Sequence, residues 1–251
     1  IGSVAVIRDI SKIKELDREK FNFVRMVTHE LKAPVGAIQG YLDLILDGLL
    51  DGEPAKQRDV LLRSRDRAAS LLKLIGDLLS VMKMRSGLLH RTFELADLPK
   101  IATDAVQLLK VDADARGISL SVEAEPDFPL IEADKSNLEE IVTNLVSNAI
   151  KYNREGGSVK LKLRKRSGGM VSLTCSDTGI GIPKEAQAHL FDEFFRVRSQ
   201  KTSGIPGTGL GLSIVKEMVA AHRGRVEVES VPDEGTAFTV FLPVHHKADE
   251  G

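Results

Sequence analysis

The sequence predicts an α + α/β protein: a two-helix hairpin that dimerises into a four-helix bundle, followed by an α/β sandwich. Three observations predict it. Apolar residues recur at three- and four-residue steps through residues 10–46 and again through residues 55–86. The breaker-rich stretch DGLLDGEP (47–54) separates the two runs. From about residue 90 the period changes, and helical patterns at 98–116, 135–152 and 209–223 alternate with short strand-like runs.

Taken in order, SVAVIRD (3–9) reads as a strand. Residues 10–22 then open a coiled-coil lead-in, with Ile13, Leu16, Phe23 and Val27 on one stripe and Lys20 at its weak position. The stripe continues through Leu31, Val35, Ile38, Leu42 and Ile45, and Pro54 suits the first turn of the second helix. That helix carries Leu61, Ala68, Leu71, Ile75, Leu78 and Met82, and Gly87 ends it. Two such stripes have too little partner surface in one hairpin, so dimerisation is the expected cover; packing on the C-terminal half is the alternative. A boundary near 88–93 divides a hairpin domain (23–88) from a second domain (89–247). In the latter, ISLSVEA, LIEAD, SVKLKLRKR, VSLTCSD, RVEVES and TAFTVFLPV predict a mixed sheet layered by helices on one face. The terminal HHKADEG reads as a solvated tail in which His245 and His246 are inert.

Composition excludes several classes. Thirty-five Lys+Arg against 36 Asp+Glu leaves no field to recruit nucleic acid or an anionic membrane. The single Cys175 excludes an internal disulfide and a cysteine zinc site, and suits a reducing compartment. No apolar run reaches the length of a membrane span and no signal peptide is visible. The chain starts at Ile1 without methionine, so it is expected to be a piece of a longer protein.

Four stretches carry chemistry. In VTHELKAPVGAIQGYL (27–42), His29 lies two positions from both Val27 and Leu31, and so projects about 160° from the apolar stripe. Glu30 is its neighbour, and Pro34 removes the N–H that the Glu30 carbonyl would accept. An exposed neutral imidazole beside a carboxylate is a competent nucleophile, although a surface His–Glu pair is also commonplace. In NLEEIVTNLVSNAIKYN (137–153), Asn144 and Asn148 share a helix face, with Lys151 and Tyr152 a turn further on. Their amide oxygens suit Mg2+ and Lys151 suits its phosphates; buried amides satisfying the backbone are the alternative. In CSDTGIGIP (175–183), a strand ends at Asp177, which can accept a hydrogen bond from an exocyclic amine, while Gly179 and Gly181 allow close backbone approach. In SGIPGTGLGLSIVKEMVAAH (203–222), Gly207, Gly209 and Gly211 precede a helix whose N–H groups favour an anion. Ahead of it, FDEFFRVRSQKTSGIPG (191–207) resembles a lid, with Phe191, Phe194, Phe195, Arg196 and Arg198; phenylalanines in such a run are more often core.

In their order and spacing, HELKAP, NLVSNAIKY, DTGIGI, FDEFFR and GTGLGLSIV resemble the H, N, G1, F and G2 boxes of sensor histidine kinases of two-component systems, over residues 10–244. The resemblance implies a dimeric phospho-acceptor hairpin followed by an ATP-binding sandwich of the GHKL (Bergerat) type. It reads residues 1–9 as the end of a truncated PAS-like sensor domain and residues 10–22 as a signalling linker. It implies that His29 accepts the phosphoryl group with Glu30 as general base, and that Asn148 holds Mg2+ with Asn144 nearby. Lys151 then approaches the phosphates, Asp177 reads the adenine amine, Gly179, Gly181 and Ile182 shape that pocket, and Tyr152 flanks the base. Gly207, Thr208, Gly209, Leu210 and Gly211 form the phosphate-side loop, with Arg196 or Arg198 on the γ-phosphate. The implied cofactors are ATP and Mg2+, and the implied partners a second copy and a response-regulator receiver domain, with no nucleic acid or membrane contact. The implied location is cytoplasmic, free or as part of a membrane-anchored parent.

Family members that also dephosphorylate their regulator carry Thr or Asn four residues after the histidine. Here that position is Ala33, which implies weak phosphatase activity. Two other functions fit parts of the pattern. A nucleotide-driven clamp ATPase uses the same sandwich but has no use for an exposed His beside a proline, and a non-catalytic scaffold has no use for intact Asn, Asp and Gly positions.

Overall fold

The structure, a computed structural model, describes residues 11–85, 92–197, 199–205 and 207–245. The strand expected over residues 3–9, the helix stop at Gly87, Arg198 and His246 lie outside these, as do the side chains of Ile13, Leu16 and Lys20. The chain forms two compact units, divided between Gly76 and Asp77.

Helix α1 runs Ser11–Leu46 and α2 Pro54–Arg85. Pro34 lies inside α1, which continues through it. Gly48 ends that helix in the left-handed region (φ 69°), a conformation other residues adopt at a cost. Gln57 Nε2 then donates to the Leu50 carbonyl at 3.1 Å and ties the connecting turn to α2. Pro54 opens α2 as expected.

The stripe read for α2 is covered only in part within the single chain. Leu74 and Val81 are buried, and Leu71 and Leu78 partly so, whereas Leu61, Ile75 and Met82 of the expected stripe are exposed. The cause is a run of apolar doublets at 71–72, 74–75, 78–79 and 81–82. Either member of each doublet continues a helical period, so the pattern fits two phases about 100° apart.

The second unit begins within α2, and its first strand is β1 (Phe93–Ala96), which pairs antiparallel with β3 (Ile131–Asp134). Its four residues show no alternation, and nothing in the sequence marked them as a strand. The helical pattern over 98–116 divides at Leu109 into α3 (Leu98–Leu108) and α4 (Lys110–Asp114). Asp97 caps α3 by accepting the Lys100 N–H at 3.0 Å. Then follow β2 (Ser119–Ala124), α5 (Lys135–Lys151), β4 (Ser158–Arg166), β5 (Met170–Asp177), the short α6 (Lys184–Gln187), α7 (Gly211–Ala221), β6 (Arg225–Val231) and β7 (Gly235–Pro243).

The large sheet has strand order β2-β4-β5-β7-β6, parallel only between β2 and β4. Every second residue of its central strands is buried: Val159, Leu161 and Leu163 on β4, Leu173 and Cys175 on β5, Phe238, Val240 and Leu242 on β7. These meet the apolar faces of α3, α5 and α7, including Leu138, Ile141, Leu145, Ile214 and Val215. Phe191, partly buried, packs edge-on against buried Phe238 with centroids 6.4 Å apart. His222 is also buried; its Nε2 accepts the Asp134 N–H at 3.0 Å while Nδ1 donates to the Met218 carbonyl at 2.7 Å, bracing the start of α5 against the end of α7. Leu145, on α5 and wholly inaccessible, has no room to be replaced. Leu145→Ala is expected to lower unfolding free energy by about 2–5 kcal/mol with an unchanged denaturant slope, as measured by urea titration.

Candidate functional site

On α1 the imidazole of His29 is 80% exposed, and Val27 and Leu31 on either side are partly buried, as their phase requires. Its Nδ1 stands 3.5 Å from Glu30 Oε1, leaving Nε2 turned to solvent.

In the second unit, four segments distant in sequence converge beside the C-terminal half of α5. Asn144 donates to the Glu140 carbonyl at 3.1 Å, and its oxygen fills the place where a side chain at Gly211 would begin: a β-carbon there would lie 2.9 Å away. Asn148, a turn later and partly exposed, has no side-chain partner among the described residues. Lys151 closes the helix and Tyr152 caps it, with both Tyr152 N–H bonds turned back into α5. The Tyr152 hydroxyl lies 3.8 Å from a β-carbon built on Gly207, so the residue also borders the glycine loop.

The turn after β5 packs on that cap with no room for a side chain. A β-carbon at Gly179 would stand 2.3 Å from the Tyr152 carbonyl oxygen, and Ile180 N–H donates to the same oxygen at 3.0 Å. Gly181 (φ 64°) is held as closely on its other side, 2.0 Å from the Val231 carbonyl oxygen by the same construction. Ile182 N–H donates to Ser230 Oγ at 2.8 Å. Asp177 accepts the Gly179 N–H at 2.8 Å, and burial pushes its carboxyl up to about 6 against the downward pull of the Gly179 and Thr236 amides.

The glycine loop is shaped by the lid segment. Gly209 (φ 73°) lies against the backbone of Phe194, whose N–H donates to the Gly209 carbonyl at 3.0 Å. Phe194 itself has φ 61°, an unfavourable conformation for a bulky residue, worth about 1–3 kcal/mol of strain. Thr208 Oγ1 accepts the Leu210 N–H at 3.3 Å, and buried Leu210 precedes the first turn of α7, whose N–H groups have no side-chain cap. Arg196 donates to the Ile205 carbonyl within the same segment. Phe195 is partly buried and rests near His189.

Sequence reasoning missed the residues that hold these turns together. Buried Asn153 donates to the Ser158 carbonyl at 3.1 Å, and Thr178 Oγ1 receives the Ser158 N–H at 2.9 Å, joining the end of α5 to β4 and β5. Gln187 Nε2 donates to the Ile182 and Ser230 carbonyls, both at 2.9 Å. Asn153 and Thr178 sit inside motifs already singled out, whereas Gln187 and Ser230 carry no local signal.

Because Asp177 binds its proton more tightly when folded (about 6) than as a free side chain (3.8), its ionisation opposes folding. The cost is complete above pH 6 and absent below pH 4. Asp177→Asn is therefore expected to melt at a higher temperature than the unmodified chain at pH 8, with the difference vanishing near pH 4, by calorimetry across pH.

Residues 19–87 match the family described as His Kinase A (phospho-acceptor) domain, and residues 133–246 that of the histidine kinase-, DNA gyrase B-, and HSP90-like ATPases. The chain is 34% identical over 245 residues to the phosphate regulon sensor protein PhoR of Pseudomonas aeruginosa, covering 95% of this chain and 53% of that protein. Eight curated relatives are all longer, and the chain spans 16–62% of their lengths. Among solved structures, full-length ShkA in complex with AMPPNP superposes with a TM-score of 0.66 at 26% identity, over 89% of this chain and 46% of ShkA. ThkA in complex with the response regulator TrrA gives 0.72 at 20% identity, over 95% and 69% respectively, a likeness of fold. No helix among the described residues is long and apolar enough to cross a membrane. With a phospho-acceptor hairpin and an ATPase sandwich in this order, and relatives that share both, the chain belongs to the sensor histidine kinases of two-component systems.

Proposed function

We propose that this chain binds Mg·ATP in its second unit, transfers the γ-phosphoryl group to His29, and passes it on to an aspartate of a response-regulator receiver domain. The observation that supports it most is the meeting of Asn148, Tyr152, Asp177 and the glycine loop beside α5, in a chain that also displays His29 to solvent. The residues fit a nucleotide. Asp177 accepts from an adenine amine, the glycine positions leave backbone free for close approach, and the uncapped first turn of α7 favours phosphate. They also fit Mg2+: the Asn148 amide oxygen is uncommitted, whereas that of Asn144 is lodged against Gly211. We therefore assign Asn148 as the metal ligand and Asn144 as its neighbour, with Lys151 on the phosphates. When bound, Mg2+ screens the phosphate charge. Binding of AMPPNP by ShkA, which shares the fold, is in keeping with this reading.

Transfer is an in-line displacement. The lone pair of His29 Nε2 forms the N–P bond, the bond from the γ-phosphorus to the bridging oxygen breaks, and ADP leaves with that electron pair. The proton on Nδ1 passes toward Glu30, whose Oε1 stands 3.5 Å away. Arg196, bound to the Ile205 carbonyl, reaches a γ-phosphate only after releasing it.

A second copy of the chain supplies the cover that α2 lacks. Leu72, Ile75, Leu79 and Met82 form an exposed 3-4-3 stripe, and on α1 Val35, Leu42 and Leu46 are exposed as well. Stripes of this spacing pair as helical bundles, which makes a dimer the expected working state. The receiver-domain partner is the kind seen with ThkA, and His29 on an open helix face is accessible to it.

Incubation with ATP radiolabelled at its γ-phosphate and Mg2+ is expected to give an acid-labile, base-stable protein label that His29→Gln abolishes. Free phosphate without protein label would indicate a clamp ATPase instead, and binding without turnover a scaffold. Ala33, exposed one turn after His29, has no group to hold a hydrolytic water. Ala33→Thr is expected to raise dephosphorylation of the cognate regulator several-fold, and an unchanged rate would refute this role for the position.

A further inference from the structure

A helix ends in carbonyls that have no helical donor, and at the end of α5 a single side chain from outside every recognised motif binds two of them and one just beyond. Arg116, in the turn between α4 and β2, donates through Nη1 to the carbonyls of Ile150 and Lys151, the latter at 3.0 Å, and through Nη2 to that of Asn153 at 3.0 Å. The remaining carbonyl, Tyr152, receives Ile180 N–H from the turn after β5. All four carbonyls from 150 to 153 are thus bound, three by one guanidinium and one by the glycine turn. Arg116 is itself anchored: its carbonyl accepts the Gly156 N–H at 3.2 Å, and Gly117 turns the chain there with φ 64°. A planar cation suits this place twice over. Its rigid fork holds several carbonyls in one fixed geometry, which a freely rotating ammonium does less well, and its charge opposes the negative end of the helix dipole.

The turn that Arg116 closes is the one that carries Lys151 and Tyr152, with Asn148 three residues before Lys151. We propose that Arg116 is a positioning residue of the nucleotide site, acting through the last turn of α5 on the groups that face phosphate and metal. The inference rests on the nucleotide reading given above. Asp177, at the end of β5, takes its own hydrogen bonds from Gly179 and Thr236 and meets the clamped turn through Ile180 N–H on the Tyr152 carbonyl, so the adenine side depends on Arg116 less directly than Lys151 does. Loss of the clamp therefore weakens the phosphate side selectively.

The test compares Mg·AMPPNP with AMP as ligands of the whole chain, by isothermal titration well below the melting temperature of each variant. Arg116→Met is expected to weaken Mg·AMPPNP binding about tenfold and AMP binding less than about threefold, with Arg116→Lys recovering part of the difference. A purely structural role would weaken both ligands alike or neither, and an unchanged affinity ratio in a wild-type protein that does bind overturns the assignment alone. Wild-type protein that binds neither ligand overturns the nucleotide reading and this assignment with it. Should Arg116→Met fail to fold, Arg116→Lys is read by the same ratio.

Discussion

The second unit depends on one backbone contact, where the turn after β5 meets the end of α5. The Tyr152 carbonyl receives Ile180 N–H, and Gly179 lies so close to the same oxygen that no β-carbon fits. This contact sets the distance between a helix carrying amides and a lysine and a strand ending in a partly buried carboxylate. On the far side the same turn presses against the β6–β7 hairpin through Gly181, and Gly235 meets the Asp177 carbonyl in the same manner. Three glycines are required because three chain segments touch backbone to backbone, and each contact leaves Asp177 less freedom to move.

What was legible in the sequence follows from this. Glycine requirements, paired asparagines at i and i+4, and a histidine out of phase with its apolar stripe are local patterns, and the fold brings the glycines, the asparagines and Asp177 together around the end of α5. The residues that went unread act over long separations. Arg116 reaches 34–37 residues along the chain and Gln187 reaches 43, to the Ser230 carbonyl, and neither distance leaves a periodic trace. In α2 the difficulty is of another kind. The doublets at 71–72, 74–75, 78–79 and 81–82 satisfy two helical phases equally, and only burial distinguishes Leu74 and Val81 from Ile75 and Met82. The division at Leu109 was illegible because neither glycine nor proline marks it; the backbone there departs from helical angles between two stretches that share one helical pattern.

The two ends of the proposed reaction obey opposite electrostatic rules. Asp177 is a carboxylate kept in a desolvated place where it is costly to ionise, and the amides of Gly179 and Thr236 recover only part of that cost. Such a group awaits a donor, and a ligand amine that supplies one lowers the free energy of the charged form. Cys175, two residues earlier and facing the core, is pushed further still by burial and has no ligand to meet, so it stays a packed thiol. His29 has the reverse situation. At 80% exposure it is open to solvent, and the proposed transfers require access by two macromolecular partners in turn, not a shaped pocket.

That contrast accounts for where rigidity is placed. A reacting imidazole on an exposed helix needs only its rotamer and its neighbour, Glu30, because the phosphoryl donor arrives already oriented. The orientation must then come from the second unit, and its means are visible in the hydrogen bonds: His222 joins the start of α5 to the end of α7, Arg116 closes the end of α5, and Asn144 lies against the first residue of α7. Both ends and the middle of α5 are thereby fixed to other elements. Of its two asparagines beside the glycine loop, Asn144 is committed to the Glu140 carbonyl while the Asn148 side chain makes no hydrogen bond among the described residues, and an amide left free on so constrained a helix is suited to a ligand whose geometry is exacting.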